Sequence, residues 1–238
     1  ILSGLVGSEM CIRDRTESDN LAVKGLFWAR RTPSRTRVLA SGGEHHAVLD
    51  PVEWLAAHEG AAVTWLEVDR EGRVDLPGLE RALADGAVTL CSVMWANNEV
   101  GTVQPVEAIS RACRQAGVPF HTDAVQALGA LPIDLAALGA TAVTISSHKV
   151  GGPFGVGALI LDPSAGVTPV LHGGGQEREV RSGTLDAPGI AAFAVAVRHA
   201  VASQREQAAR IRALRNELVE GVLRAIPGAV LNGPADLD

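Results

Sequence analysis

The sequence has little cysteine, no excess of positive charge and no long uncharged apolar run. Three scattered cysteines among 238 residues show no pairing pattern, which argues against a disulfide scaffold and favours a reducing, cytoplasmic setting. A formal net charge of -6 offers no basic field for nucleic acid. No apolar stretch reaches about 18 residues without charge, so no membrane span is expected. The composition, 47% hydrophobic and 20% charged, is that of a soluble globular protein with a substantial core.

Metal-ligand spacing is also missing from the sequence. His45 and His46 are adjacent, so their side chains point in different directions and would chelate a metal poorly. Their alternative role is that of two polar loop residues. No metal site is therefore predicted.

Lysine is scarce: only two of the 21 basic side chains are lysines, and one of them is Lys149. Arginine stays protonated in proteins, whereas a partly buried lysine can lose its proton and condense with an aldehyde. Lys149 is therefore a candidate Schiff-base residue, although a surface lysine that ends a strand is the commoner arrangement.

The glycines at 151–157 lack the order of strand, glycine fingerprint and helix that a dinucleotide-binding loop needs. They favour a tight backbone turn instead.

Asp123 follows the short apolar run 118–120, at the predicted carboxyl end of a buried strand. This is where α/β sheets place their chemistry. A carboxylate there, beside a lysine that binds an aldehyde, suits the ring nitrogen of pyridoxal phosphate, which must stay protonated. The alternative role for Asp123 is the N-cap of the next helix. Asn97 and Asn98 follow another strand-like run, 88–94, and could bond the ring hydroxyl of this cofactor or form an ordinary turn.

Together these motifs resemble the cysteine desulfurases (NifS/IscS-like) of the class V aminotransferase family, which have the type I fold of pyridoxal phosphate enzymes. The resemblance extends from Thr16 to the C-terminus and corresponds to the middle of the family's chain, so we expect a fragment without the N-terminal segment and the C-terminal small domain. The matching runs, in the family's order, are 16–22, 44–49, 97–104, 121–126, 147–149 and 173–178 with 181–184.

The resemblance implies a role for each matching residue. It makes Lys149 the Schiff-base lysine and proton shuttle, and His45 the imidazole that stacks on the ring of pyridoxal 5'-phosphate and acts as an acid or base. Asp123 would hold the pyridinium nitrogen. The other implied ligands are Asn98 and Gln126 near the ring hydroxyl, Thr16, Ser146 and His148 at the phosphate, and Thr184 at the phosphate of the neighbouring subunit of a homodimer.

The phosphate role of Thr16 has a physical basis in the sequence. Residues 16–19 have the spacing of a capping box and precede an apolar helical stretch. A helix N-terminus with a hydroxyl at its cap is an anion site. A helix cap without a ligand is the commoner reading of such a motif taken alone.

The sequence also departs from the family pattern. The family's mobile-loop cysteine, which carries the persulfide, and its arginine clamp for the substrate carboxylate fall outside this chain. Cys91 and Cys113 lie in an apolar strand and a helical stretch, where a thiol usually packs inertly, so neither is assigned as the carrier. Residues 1–15 have no family match and resemble translated adaptor sequence, so we expect them to be foreign to the fold. Arg15 stands where the family has a glycine and an alanine.

Strand and helix patterns alternate along the chain, which predicts a three-layer α/β/α domain with a mainly parallel mixed sheet. Expected segments are a leader over 1–15, a cofactor-binding large domain over 16–190, a long connecting helix over 191–226, and the start of a truncated small domain over 227–238, with a strand at 229–231. The predicted strands are 38–40, 61–68, 88–94, 118–120, 142–145 and 156–161, and the predicted helices are 21–30, 48–58, 76–84, 106–116 and 190–225.

The leading functional hypothesis is a cysteine desulfurase that converts L-cysteine to L-alanine and forms an enzyme persulfide. The sulfur would pass to an acceptor or scaffold protein for iron-sulfur cluster assembly or thiolation, with no direct role for nucleic acid or membrane. Fold and cofactor do not fix the reaction, so a selenocysteine lyase or aminotransferase is the alternative. A non-catalytic cofactor-binding fragment is a third. The 238 residues alone are expected not to desulfurate cysteine.

Overall fold

Central strands that are buried on both faces form the framework of the domain. The computed structural model describes residues 9–12 and 14–234. Every residue of the strands β4 to β7 is buried, which is typical of a sheet with helices on both faces. The strands are β1 (Glu9–Ile12), β2 (Arg37–Ser41), β3 (Ala62–Leu66), β4 (Val88–Ser92), β5 (Phe120–Asp123), β6 (Ala142–Ser146) and β7 (Gly157–Leu161).

These strands form one mixed sheet in the order β1-β7-β6-β5-β4-β2-β3. The neighbouring pairs from β3 across to β6 are parallel, whereas β7 is antiparallel to β6 and β1 is antiparallel to β7. Because β2, β4, β5 and β6 are parallel, their carboxyl ends meet at one edge of the sheet. The loops that follow them therefore converge there.

In the described part of the chain, six α-helices accompany the sheet: α1 (Arg15–Arg30), α2 (His46–Glu59), α3 (Leu76–Leu83), α4 (Val106–Gln115), α5 (Leu135–Leu138) and α6 (Ala187–Ala225). One buried cluster joins α1 and α2 to one face of the sheet, through residues such as Phe27 and Leu55. A second cluster joins α3, α4, α5 and the start of α6 to the other face, through Leu79, Ile109 and Phe193. The predicted three-layer α/β/α architecture is confirmed.

Helix α6 is 39 residues long, and its buried residues are Gly189, Phe193 and Val197, all near its start. Further along, several apolar side chains of the helix are exposed, among them Ile211 and Leu218. Among residues 9–12 and 14–234, no helix is both long and apolar enough to cross a membrane.

Each predicted strand and helix up to residue 225 is present, with shifted ends. The strand predicted over 118–120 begins at Phe120 and continues to Asp123. Residues 229–231 form no strand in the structure. The domain boundaries at 15, 190 and 226 remain predictions, and α6 itself begins at Ala187.

Residues 9–12, 14 and 15 of the predicted leader adjoin the domain, whereas residues 1–8 and 13 lie outside the described residues, and the foreign origin of residues 1–15 stays a prediction. The backbone of β1 pairs with β7, whose outer edge would otherwise present unpaired N–H and C=O groups. Asp14 caps α1 by accepting a hydrogen bond from the backbone N–H of Glu17, at 2.9 Å. Arg15 is the first residue of the helix and is buried.

Candidate functional site

Three of the predicted site residues meet at the carboxyl edge of the sheet. Asp123 is the last residue of β5 and pairs in register with Thr144 of β6. Lys149 lies just beyond the end of β6, in a short 3-10 turn at His148–Val150. His45 follows β2 and is close enough to Lys149 for the two side chains to interact electrostatically. The structure thus brings together residues from three separate parts of the sequence.

Lys149 is held by a tight turn and its side chain is exposed. The backbone N–H groups of Val150 and Gly152 both donate to the carbonyl of Ser147, at 3.0 Å. Gly151 has a φ of 79°, a left-handed conformation that glycine adopts without strain. The glycines after Lys149 therefore serve a tight turn, as predicted, and place the amine at the mouth of the site.

His45 is the N-cap of α2 and is half-buried. Its Nδ1 accepts a hydrogen bond from the backbone N–H of Ala47 at 3.0 Å, so the neutral ring carries its proton on Nε2. Burial lowers the pKa of His45, and the positive charges of Arg15 and Lys149 lower it further, against an opposing effect of Asp19. His45 is therefore neutral at neutral pH.

Asp123 is buried, with a side chain only 1% exposed. Its Oδ1 accepts a hydrogen bond from the backbone N–H of Val125 at 2.9 Å, and its Oδ2 is bound by Arg15. Burial raises the pKa of Asp123 to about 6; the nearby Asp19 adds to this increase, and Arg15 opposes it. Asp123 does not cap a regular helix, since the residues after it form a turn.

Glu44 connects two of the loops at this edge. Its Oε1 accepts a hydrogen bond from the backbone N–H of Met94 at 2.6 Å. Asn97 adds a second connection, because its Nδ2 donates to the carbonyl of Gly43 at 3.0 Å. The loop that carries His45 is thereby fixed to the loop that follows β4.

A buried polar network lies under the site. The ring of His121 is 2.9 Å from Ser92 Oγ through Nδ1 and 3.0 Å from Thr144 Oγ1 through Nε2. Asp19, on α1, lies 3.5 Å from the same Nε2. His121 thus joins β4, β5 and β6 by side-chain contacts on the face that carries Asp123.

The predicted phosphate ligands lie around the start of α1 and the end of β6. Ser146 Oγ is 2.9 Å from His148 Nδ1. Thr16 lies exposed in the first turn of α1, but it is not the cap of the helix as the capping-box pattern predicted. Asp14 is the cap, because the helix begins one residue before Thr16 and aspartate is a strong capping residue.

The other predicted ligands are less enclosed. Gln126 is half-buried, and Asn98 and Thr184 are exposed. The segment of Thr184 is anchored to α1, since Arg181 Nε donates to Glu17 at 2.7 Å. Thr184 therefore lies on a segment tied to the same helix start as Thr16.

The side chains of two cysteines are described, and neither is accessible. Cys91 and Cys113 are fully buried. A hydrogen bond with Cys113 and burial both raise the pKa of the Cys91 thiol, which disfavours the reactive thiolate. Within the described part of the chain, no group of three or more His, Cys, Asp or Glu side chains could hold a metal ion.

Four buried ionisable residues at the site were not predicted from the sequence: Arg15, Asp19, Glu44 and His121. Arg15 was noted only as a departure and set aside with residues 1–15. The spacing of Arg15 and Asp19, four residues apart on one helix, does predict an ion pair, and the structure contains it at 3.4 Å. The alternation of His121 and Asp123 also predicts that both face the same side of the sheet.

Comparison with known proteins agrees with this fold and site. The family model of class V aminotransferases matches residues 11–238, so the chain belongs to the class V aminotransferase family. An IscS-like cysteine desulfurase from Mycobacterium tuberculosis (strain ATCC 25618 / H37Rv) is 51% identical over 224 residues. That match covers 93% of this chain and 57% of the relative. Cysteine desulfurase IscS from Methanosarcina thermophila is 42% identical over 218 residues, covering 92% of this chain and 53% of the relative.

Comparison with solved structures supports the same fold. A NifS-like protein superposes with a TM-score of 0.87 at 37% identity, covering 92% of this chain and 60% of the other. DndA from Streptomyces lividans superposes with a TM-score of 0.89 at 33% identity, covering 99% of this chain and 67% of the other. The chain thus has the type I fold of pyridoxal phosphate enzymes and spans little more than half the length of the curated relatives it matches.

Proposed function

We propose that this chain is the cofactor-binding part of a cysteine desulfurase that uses pyridoxal 5'-phosphate. The observation that carries the proposal is the meeting of Asp123, His45 and Lys149 at the carboxyl edge of the sheet. Relatives named as cysteine desulfurases, at up to 51% identity, support it. The same relatives make L-cysteine the proposed substrate.

The residues at this edge fit the proposed cofactor. Asp123 is a buried carboxylate suited to a cationic ring nitrogen, and its raised pKa reflects a site with little water. The exposed amine of Lys149 is available to an aldehyde. When bound, the cofactor supplies an electron sink for bond cleavage next to the amino group of the substrate. The remaining proposed ligands are Asn98 and Gln126 for the ring hydroxyl and Thr16, Ser146 and His148 for the phosphate, with Thr184 from the other subunit of a homodimer.

The chain's own residues would bind, orient and move protons. His45 holds a proton on Nε2 while Nδ1 is fixed by Ala47, so the ring has a defined orientation and a single donor. Lys149 is the proposed proton carrier for the substrate, because its position in the 148–150 turn leaves its side chain exposed. The Glu44–Met94 bond keeps the loop of His45 in place.

The proposed reaction breaks the C–S bond of L-cysteine. The sulfur is transferred to a protein thiol, which becomes a persulfide, and a proton takes its place on carbon to give L-alanine. Cys91 and Cys113 are buried, so we expect no persulfide on either. Iron-sulfur cluster assembly or thiolation, through an acceptor protein in the cytoplasm, is the proposed use of the sulfur.

Capture of the cofactor tests this proposal. The chain is incubated with pyridoxal 5'-phosphate, reduced with borohydride and digested, and the modified lysine is identified by mass spectrometry. We expect modification of Lys149 that disappears in Lys149→Ala. Lys24→Ala is the matched control, because Lys24 lies on α1 with Nζ 4.5 Å from the centre of the Trp54 ring, and it should leave capture intact. Equal loss in both variants would exclude Lys149 as the anchor.

A second measurement separates the reaction classes. L-cysteine, L-selenocysteine, and a 2-oxo acid together with an amino donor are tested in three separate experiments on the cofactor-loaded chain, and the visible absorbance is followed. A desulfurase predicts a response to L-cysteine. A response to selenocysteine alone would indicate a lyase for that amino acid, and one confined to the 2-oxo acid with an amino donor would indicate an aminotransferase.

A further inference from the structure

Phe154 and Lys149 lie in the loop of one β-hairpin. Strands β6 and β7 are antiparallel neighbours, and the backbone N–H of Ser147 donates to the carbonyl of Val156 at 3.0 Å, which closes the loop at its base. His148 and Lys149 lie on the arm of the loop that leaves β6, whereas Phe154 lies on the arm that returns to β7. The loop therefore places Phe154 opposite two residues of the proposed site.

Phe154 stacks on the imidazole of His148. The two ring centroids are 6.1 Å apart and the ring planes are inclined by 22°. Favourable aromatic pairs have centroids about 4.5–7 Å apart. Gly151 and Gly155 have φ of 79° and 72°, left-handed conformations that let the chain turn before and after Phe154. Phe154 is 89% exposed, so its ring contributes little to the hydrophobic core and instead provides a surface for His148.

Two contacts restrict the ring of His148, although this residue is exposed. Its Nδ1 is 2.9 Å from Ser146 Oγ, and Phe154 covers one of its faces. Ordering an exposed side chain during ligand binding costs free energy, and a side chain that is already ordered avoids most of this cost. Because Ser146 engages Nδ1, Nε2 is the nitrogen that a ligand can reach. The ring is therefore oriented before any ligand binds.

We propose that Phe154 is a positioning residue for the phosphate group of pyridoxal 5'-phosphate, and that it acts by holding the ring of His148 in the orientation set by Ser146. This inference rests on the proposed function, because that function assigns His148 to the phosphate. The side chain of Phe154 has no polar atom, so it does not bind the phosphate itself. Its effect on binding therefore depends on a phosphate group in the ligand.

The contribution of Phe154 has a measurable size. A stacked aromatic pair, or the ordering of one side chain, changes a dissociation constant by about twofold to tenfold. Removal of the Phe154 ring should therefore weaken the binding of pyridoxal 5'-phosphate by about three- to tenfold. Pyridoxal has the same ring and aldehyde without the phosphate, so its binding should not change.

Titration of matched variants with two ligands tests the inference. The dissociation constants of pyridoxal 5'-phosphate and of pyridoxal are measured for the unmodified chain, Phe154→Ala, Phe154→Tyr and Leu218→Ala. We expect Phe154→Ala to bind pyridoxal 5'-phosphate about three- to tenfold more weakly and pyridoxal equally well. Phe154→Tyr keeps an aromatic ring and should bind both ligands as the unmodified chain does. Leu218→Ala is the control, because Leu218 is an exposed apolar residue in the second half of α6.

The outcomes separate this inference from the proposed function. Unchanged binding of pyridoxal 5'-phosphate by Phe154→Ala, with capture at Lys149 intact, overturns the inference and leaves the proposed function standing. Equal weakening of both ligands also overturns it, because the substitution would then disturb the whole loop and not the phosphate contact. Absence of capture at Lys149 in the unmodified chain overturns the proposed function, and the inference with it.

NMR provides a second measurement that does not depend on affinity. The ring current of Phe154 displaces the ring-proton resonances of His148 when the two rings stack. We expect these resonances to differ between the unmodified chain and Phe154→Ala, and to shift in the unmodified chain as pyridoxal 5'-phosphate is captured at Lys149. Identical resonances in the two chains would show that the rings do not stack in solution, and resonances unmoved at full capture would separate His148 from the phosphate. Either result would overturn the inference.

Discussion

Glu44 accepts a hydrogen bond from the backbone N–H of Met94 at 2.6 Å, and this bond joins the loop after β2 to the loop after β4. Glu44 is buried, and burial raises its pKa well above the ordinary value. The negative charges of Asp123 and Asp19 raise it further, while the bond from Met94 opposes the increase. The raised pKa favours the neutral acid over the carboxylate, and the bond from Met94 fixes the loop that carries the neighbouring His45.

Substitution of Glu44 tests its protonation state. Glu44→Gln keeps an oxygen acceptor of the same shape, so we expect a loss of less than about 1 kcal/mol in the free energy of unfolding. Glu44→Ala leaves the N–H of Met94 without its acceptor, which costs about 1–3 kcal/mol. Chemical denaturation of the cofactor-free chain measures both. Equal losses in the two variants would indicate that Glu44 is ionised.

The stability of the cofactor-free chain should depend on pH through Asp123. Its pKa of about 6 is above the ordinary value near 4, so the folded chain binds the proton more tightly than the unfolded chain. The contribution to stability is complete below about pH 4 and is lost as the pH rises through about 6. The total change is about 3 kcal/mol. Denaturation curves across this range, compared with those of Asp123→Asn, isolate the effect, and an advantage over the variant that grows with pH would contradict it.

The titration of His45 should report the charge on Arg15. Burial lowers the pKa of His45, and Arg15 is the next largest cause. NMR titration of the ring should give a pKa below the ordinary value near 6.5 in the unmodified chain, and a higher pKa in Arg15→Gln. Arg31→Gln serves as the control and should change nothing. An identical titration in Arg15→Gln would place the guanidinium too far away to act.

The turn of Lys149 should not accept a larger residue at Gly152. A Cβ atom there would collide with Ser147 Oγ and lie 3.2 Å from the Ser147 carbonyl and 3.1 Å from the Cβ of Ala196. We expect Gly152→Ala to destabilise the chain by about 1–3 kcal/mol and to reduce cofactor capture at Lys149 several-fold. Gly166→Ala is the control, because nothing lies within 4 Å of an added Cβ. Unaltered capture in Gly152→Ala would show that the turn adapts.

The sequence predicts the sheet and the main helices because their periodic patterns are strong and local. The predicted strand 118–120 ends where the observed β5 begins, at Phe120. The polar residues His121 and Asp123 end the apolar run in the sequence, although both are buried in the strand. Helix α5 has four residues, too few to show a helical period. β1 was missed because residues 1–15 were set aside.

The meeting of Asp123, His45 and Lys149 follows from strand order and could be predicted through the resemblance. The Arg15–Asp123 pair could not, because it joins residues 108 positions apart and depends on how α1 lies across the sheet. The cap of α1 was misplaced for a related reason. Asp14 was assigned to a segment outside the domain, which left Thr16 as the first capping residue available.

The position of His121 between Ser92 and Thr144 has a consequence for folding. A shift of β5 by one residue relative to its neighbours would break both contacts and turn Asp123 to the opposite face of the sheet. The misaligned sheet would then contain an imidazole without partners in its interior, which costs free energy comparable to a lost core contact. The polar side chain beneath the site thus selects the correct alignment of three strands, and only that alignment directs Asp123 toward α1.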